Sequence, residues 1–234
     1  ALPTSPTCRC RKRSGTNDGA PSPALRERGY SSAAVTFAQP VFASPYPIEP
    51  MPDWVLALRR TAQPVWVFAY GSLMWSPEMR FAEALPAKIH GWHRSFCLYS
   101  PEYRGTREKP GLVLGLDRGG SCRGIAYRLA EATLAAEIDY LWMREMTGFV
   151  YHMTPVRIAV AGGIVAGYAF TVRRDSPDYA GRLPPEAAAR IIATSRGDRG
   201  TGRDYLANTV RHLEQLGIAD GALHRIERLV AALG

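Results

Sequence analysis

No stretch of about 18 consecutive apolar residues, the length a helix needs to cross a bilayer, occurs in the 234 residues of this chain, so no segment reads as a membrane span. Cysteine is scarce as well. Cys8, Cys10, Cys97 and Cys122 are irregularly spaced and do not form the dense framework of a disulfide-stapled domain. Cys8 and Cys10 have no neighbouring His or Cys, and neither HExxH nor CxxC occurs, so no metal site and no cofactor is expected. His90 and His93 fall in one strand-like run, where an odd spacing sends the two rings to opposite faces and disfavours a shared metal. The basic stretch from Cys8 to Arg13 runs into Ser, Gly, Asn and Asp instead of an apolar run, which is not signal-peptide layout. A cytoplasmic protein is expected. Internal repeats are absent too.

Charge is present, and mostly of one sign. The formal net charge is +8, of which +3 falls in residues 1–50 and +5 is spread over the remainder without a dense cluster. So diffuse a field favours a small anionic ligand at least as well as a polynucleotide, and nucleic acid is not the expected partner. The hydrophobic fraction of 46% and the length fit one domain with a substantial core. Residues 1–50, rich in Pro, Ser, Ala and Arg and without periodicity, are expected to be a disordered tail, leaving 51–234 as the folded domain.

The domain is organised around residues 65–75. Val65-Trp66-Val67-Phe68-Ala69-Tyr70 is an apolar, β-branched and aromatic run of strand length that stops at Gly71-Ser72. Gly71 is expected to permit a sharp turn and to keep side chains away from the backbone, so that the amides following Tyr70 can converge on an anion. A plain tight turn after a core strand is the competing reading.

Around this strand the patterns alternate. Residues 52–60 read as a short helix with Asp53 as its cap. Residues 76–85 read as a helical turn, with Phe81 and Leu85 at i and i+4. Residues 88–100 form a strand, followed by a polar loop carrying Arg104, Arg107 and Lys109. Residues 112–117 and 122–129 read as a hairpin about Arg118-Gly119-Gly120-Ser121. A helix spans 130–146, with Leu134, Ile138 and Leu141 as its inner stripe and Gly148 marking its end. Strands at 154–161 and 164–173 flank Gly162-Gly163, and helices at 185–194, 204–216 and 221–233 complete the chain. Short β–β connections with an embedded helix and a helical C-terminal part give an α+β class, with a largely antiparallel sheet able to close into a small barrel with flanking helices.

Extending the stripe of the 130–146 helix brings Arg144 or Glu145 to its inward side. Burial and the negative end of the helix dipole both raise the pKa of a carboxylate there. Glu145 is therefore either neutralised by Arg144 or kept for proton transfer.

Taken in order, Tyr70-Gly71-Ser72-Leu73-Met74-Trp75, Tyr103-Arg104-Gly105-Thr106 with Pro110-Gly111, Arg144-Glu145-Met146 with Tyr151, and Gly197 through Tyr205-Leu206 resemble the ChaC family of γ-glutamylcyclotransferases over roughly residues 64–230. The resemblance implies a small β-barrel enzyme that cleaves glutathione, without a cofactor, into 5-oxoproline and cysteinylglycine. It implies that Tyr70, Gly71, Ser72, Leu73, Met74 and Trp75 hold the γ-glutamyl group and that Glu145 is the catalytic acid/base. The chain departs from the family pattern at Gly148, at His152-Met153-Thr154, at Tyr179-Ala180-Gly181 and at Gly200-Thr201-Gly202-Arg203.

For such a reaction one carboxylate beside both nitrogens can deprotonate the attacking amine and protonate the leaving one. Tyr70, Tyr151, Tyr179 and Tyr205 are candidate hydroxyl donors to the oxyanion, and Arg104, Arg107 and Lys109 candidates for the distal carboxylate of glutathione. Ser72 lacks a triad context, Cys97 and Cys122 lie in strands, and Gly197-x-x-Gly200-x-Gly202 lacks the Lys-Ser/Thr of a phosphate loop. A cyclotransferase for another γ-glutamyl peptide or amine stays open, as does a non-catalytic binding protein on the same scaffold; a monomer is expected.

Overall fold

A computed structural model describes residues 47–234. The tail expected over residues 1–46 lies outside the described residues. Pro47 to Pro50, which composition groups with it, are tied to the domain: Ile48 bridges Thr147, and the Glu49 amide donates to the Met146 carbonyl at 3.1 Å.

The elements follow the chain as α1 (Asp53–Leu58), β1 (Trp66–Ala69), a 3-10 turn (Ser72–Met74), β2 (Phe81–Ser100), β3 (Gly111–Leu129), a second 3-10 turn (Glu131–Thr133), α2 (Leu134–Glu145), β4 (Tyr151–Val160), β5 (Gly163–Val172), α3 (Pro185–Thr194), the short β6 (Arg196–Gly197) and β7 (Gly200–Thr201), α4 (Gly202–Gln215) and α5 (Gly221–Ala231). Five strands close into a barrel in the order β1-β3-β2-β4-β5. Every pairing in it is antiparallel except β1 with β5. All four residues of β1 are buried, as a strand with core on both sides requires.

Two expectations fail in the same place. The helical turn at 76–85 and the hairpin about residues 118–121 are both absent, because β2 and β3 are long partners that run together from Phe81 against Leu129 to Ser100 against Gly111. Phe81 and Leu85, four apart, share a face on a strand as readily as on a helix, and here the strand prevails. Gly119 and Gly120 do adopt positive φ (103° and 69°), but opposite them Gly91 does so too, at 82°. The register shifts between His90 and Trp92, so the glycines make an irregularity that lets the ribbon bend without ending it. The same shift breaks the simple alternation expected for His90 and His93. The reversal between β2 and β3 lies instead in the polar loop 101–110.

The remaining elements match the patterns closely. Ala161-Gly162 turn between β4 and β5, and α3 spans residues 185–194 as expected. In α1, Pro52 rather than Asp53 is the capping residue, and no side-chain cap bond forms. Helices α3, α4 and α5 pack on one another beside β3. Leu206, Val210, Leu213, Leu223, Ile226 and Val230 join one core with Phe68, Tyr127 and Phe170 of the barrel.

Candidate active site

At the end of α2 the stripe Leu134, Ile138, Leu141 and Trp142 is buried, and Trp142 donates from its indole Nε1 to the Glu49 carbonyl at 2.6 Å. This seating turns the last two residues inward. The Arg144 and Glu145 side chains are 12% and 15% exposed, and Arg144 Nε meets Glu145 Oε1 at 3.1 Å. Arg144 also donates to the Ser76 carbonyl (2.7 Å), the Tyr140 hydroxyl (2.9 Å) and Ser72 Oγ (3.2 Å). The helix end is thereby fastened to the loop after β1. Burial raises the Glu145 pKa above its ordinary value, and Arg144 opposes that rise without cancelling it.

Glu145 is thus paired with Arg144, while burial keeps its proton affinity above that of an ordinary carboxylate. Three tyrosines surround it. Burial pushes the Tyr70 and Tyr151 hydroxyls well above their usual pKa, with Tyr151 and Glu145 adding to the first and Glu145 and Tyr205 to the second. Tyr205 is pushed up to about 12, chiefly by burial. All three are neutral hydroxyls at physiological pH.

Glu145 lines a cavity of ≈ 350 Å³, within the range of small-molecule sites. Of the residues expected from the sequence, Ser72, Trp75, Arg104, Glu145 and Tyr205 line it, as does Tyr151. Tyr70, Gly71, Leu73 and Met74 do not. Leu73 and Met74 are core residues, and the Met74 carbonyl accepts the Tyr127 hydroxyl at 3.1 Å. Gly71 has a φ of −128°, so no left-handed turn calls for glycine there; a Cβ at Gly71 would stand 3.9 Å from the Tyr205 hydroxyl. The amides after Tyr70 are not all open. Those of Met74, Trp75 and Ser76 donate to the Gly71 and Ser72 carbonyls, leaving those of Ser72 and Leu73 without an acceptor in the turn.

Trp75 stacks on His212, centroids 5.0 Å apart. Arg104 places its guanidinium 4.9 Å from the Tyr205 ring centroid and donates to the Arg199 carbonyl. Arg107 and Lys109 are exposed and outside the cavity lining. Tyr179 is likewise engaged elsewhere: its hydroxyl donates to Asp117 at 2.8 Å, beside the Asp117–Arg174 ion pair. Gly197 and Gly202 serve close packing, since a Cβ would come within 2.1 Å of the Glu102 carbonyl at Gly197 and within 2.6 Å of Ser195 Oγ at Gly202, whereas Gly200 takes a positive φ of 101°.

Two contributors escaped the sequence reading. Arg199 lines the cavity from the β6–β7 turn. Arg94, inside β2, donates to the Tyr70 carbonyl, to the Arg123 carbonyl (2.7 Å) and to Asp220 (2.9 Å), so it holds the end of β1 against the start of α5. The only trace of Arg94 in the sequence is an arginine amid the run from Trp92 to Leu98.

Comparison with known proteins identifies relatives of the chain and of its fold. The glutathione-specific γ-glutamylcyclotransferase of Escherichia coli strain K12 is 39% identical over 170 residues, 72% of this chain and 74% of that protein. The γ-glutamylcyclotransferase 2-3 of Arabidopsis thaliana is 33% identical over 166 residues, 67% of this chain and 83% of its own. Among solved structures, a yeast γ-glutamylcyclotransferase specific to glutathione has the same fold, with a TM-score of 0.67 at 22% identity, covering 72% of this chain and 96% of that one. A profile of the ChaC-like protein family matches residues 65–233, and the chain belongs to that family.

Proposed function

We propose that the protein is a glutathione-directed γ-glutamylcyclotransferase in which Glu145 is the acid/base. One observation carries the reading: a carboxyl of raised pKa, 15% exposed, lines the cavity that the loop after β1 also lines. The relatives named for this activity support the substrate.

The α-amine of the γ-glutamyl unit attacks its own γ-carbonyl, closing a five-membered lactam and expelling the amine of cysteinylglycine. Both reacting groups belong to one molecule, so most of the entropic cost of their encounter is absent. Glu145 takes the proton that makes the α-amine nucleophilic and returns it to the departing nitrogen. Burial raises its pKa towards that of the ammonium it must deprotonate, while Arg144 favours the ionised form that accepts the proton. Ser72, Trp75 and the free amides of the 3-10 turn hold the γ-glutamyl end, and the Tyr205 hydroxyl donates to the oxyanion. Nucleophile, electrophile and leaving group all come from the substrate, so the reaction calls for no cofactor. A glutathione substrate, the pool that keeps cytosolic thiols reduced, supports a cytoplasmic setting.

The experiment is release of 5-oxoproline from glutathione by the purified protein and by Glu145→Gln. The parent turns over and the folded variant does not. A parent silent towards glutathione and other γ-glutamyl compounds would leave a binding protein on the same scaffold.

A further inference from the structure

From the buried base outwards, the cavity presents an ordered series of groups. Tyr205 adjoins Glu145, Arg104 lies over the Tyr205 ring at 4.9 Å, and Arg104 reaches the carbonyl of Arg199. The guanidinium of Arg199 lies 4.8 Å from the centroid of the Tyr103 ring, and its amide donates to the Tyr103 carbonyl at 3.1 Å. Both arginines line the cavity, Arg199 from its exposed rim. Each flat guanidinium is held against an aromatic face, which fixes its plane and lowers the entropy lost when it binds a planar anion. The two like charges act on one another: burial lowers the Arg104 pKa, and Arg199 lowers it further although Tyr205 opposes. A carboxylate received there meets two pre-oriented cations and relieves their repulsion.

Arg144, the third arginine of the lining, is committed to Glu145, Ser76, Ser72 and Tyr140. If the γ-glutamyl group occupies the Glu145 end, as proposed above, the leaving amine extends along this series towards the rim. On that reading, we propose that Arg199, acting with Arg104, is a specificity residue that reads a free carboxylate at the far end of the leaving group. The favoured substrates are γ-glutamyl peptides ending in a free carboxylate, over γ-glutamyl amines and peptide esters.

The test compares 5-oxoproline release from glutathione with that from its glycyl monoethyl ester, which keeps the reacting atoms and masks only the distal carboxylate. The parent prefers the free acid by about tenfold to a hundredfold in kcat/KM, the worth of a charge-assisted hydrogen bond in a partly wet site. Arg199→Gln collapses this ratio to within about twofold of one, through KM. Arg199→Lys restores part of it, because charge remains while stacking on Tyr103 is lost. Lys109→Gln, a neutralised loop charge outside the cavity, leaves the ratio unchanged. Four outcomes overturn the inference while the cyclotransferase stands: equal use of acid and ester by the parent, equal loss on both in Arg199→Gln, an equal effect of Lys109→Gln, or a preference for the ester, which would mean that the lining carboxylates Glu78, which interacts with Arg199, Glu102 and Asp178 set the sign. Absence of 5-oxoproline from both compounds overturns the cyclotransferase reading itself.

Discussion

Among the described residues, two arginine–carboxylate pairs have both side chains less than a fifth exposed, and their surroundings differ. Arg94 and Asp220 are 2% and 17% exposed at 2.9 Å. Arg94 also donates to two carbonyls, and Asp220 also accepts the Leu223 amide as the cap of α5. Arg144 and Glu145 form a comparably buried pair, and Arg144 is equally saturated. Glu145 differs. Among the described residues no donor other than Arg144 reaches its carboxylate, whereas Asp220 also takes a backbone amide, and Glu145 lines a cavity. A closed pair fixes structure; a pair with spare acceptor capacity beside open space can exchange protons.

The sharpest way to separate them is to neutralise each. Glu145→Gln should lower the rate of 5-oxoproline formation by about 10³-fold, within the range of a general acid–base group. Its stability should not fall. A carboxyl whose folded pKa is raised favours the folded state most when protonated, below its ordinary value of 4.5, and loses that advantage as pH rises through the folded pKa. The substituted amide lacks that penalty and still offers Arg144 an acceptor, so thermal melts at pH 7–8 should place the variant level with the parent or above it, the gap closing below pH 4.5. Arg94→Leu should do the reverse. It strands Asp220 and the Tyr70 carbonyl, at a cost of about 3–5 kcal/mol in urea melts, and well below its melting point it should retain more activity than Glu145→Gln. Equal inactivation of both folded variants would erase the distinction.

A third change works within the open pair. Arg144 holds the Glu145 pKa down against burial, so Arg144→Gln should move the acid limb of the kcat/KM profile to higher pH. A limb that stays in place would mean that Glu145 is not the group titrating.

How much of this was legible in the sequence follows the same division. The strand-to-loop transition at Tyr70-Gly71, the helix ending at Glu145, and the three C-terminal helices were carried by local pattern, and local pattern found them. The continuous β2–β3 ribbon was not, since glycines at 91, 119 and 120 have the composition of turns and only pairing across the strands reveals that they face each other. The loop after β1 stood out as a unit, but sequence could not tell lining from anchoring within it: Ser72 and Trp75 line the cavity, whereas Leu73 and Met74 are core. Arg94 and Arg199 were missed because their roles depend on distant partners. Asp220 lies 126 residues from Arg94, and Tyr103 lies in the loop between β2 and β3 whereas Arg199 lies in the β6–β7 turn.

The smallest effect tests two tyrosines that the sequence offers as hydroxyl donors, Tyr205 within a family-like motif and Tyr179 at a departure from the family pattern. Tyr205 lines the cavity, with its hydroxyl near Glu145 and its ring beneath Arg104; Tyr179 gives its hydroxyl to Asp117 outside the lining. Tyr205→Phe keeps the ring that holds Arg104 and removes only the donor, so kcat should fall about threefold to tenfold, the worth of one neutral hydrogen bond, with KM little changed. Tyr179→Phe should leave kcat alone and show its effect in stability, since Asp117, only 5% exposed, loses one of its hydrogen bonds. Paired kinetics and melts on the two variants give a crossed pattern if the cavity is the reaction site. Parallel losses of kcat in both would locate the chemistry beyond the cavity that Glu145 lines.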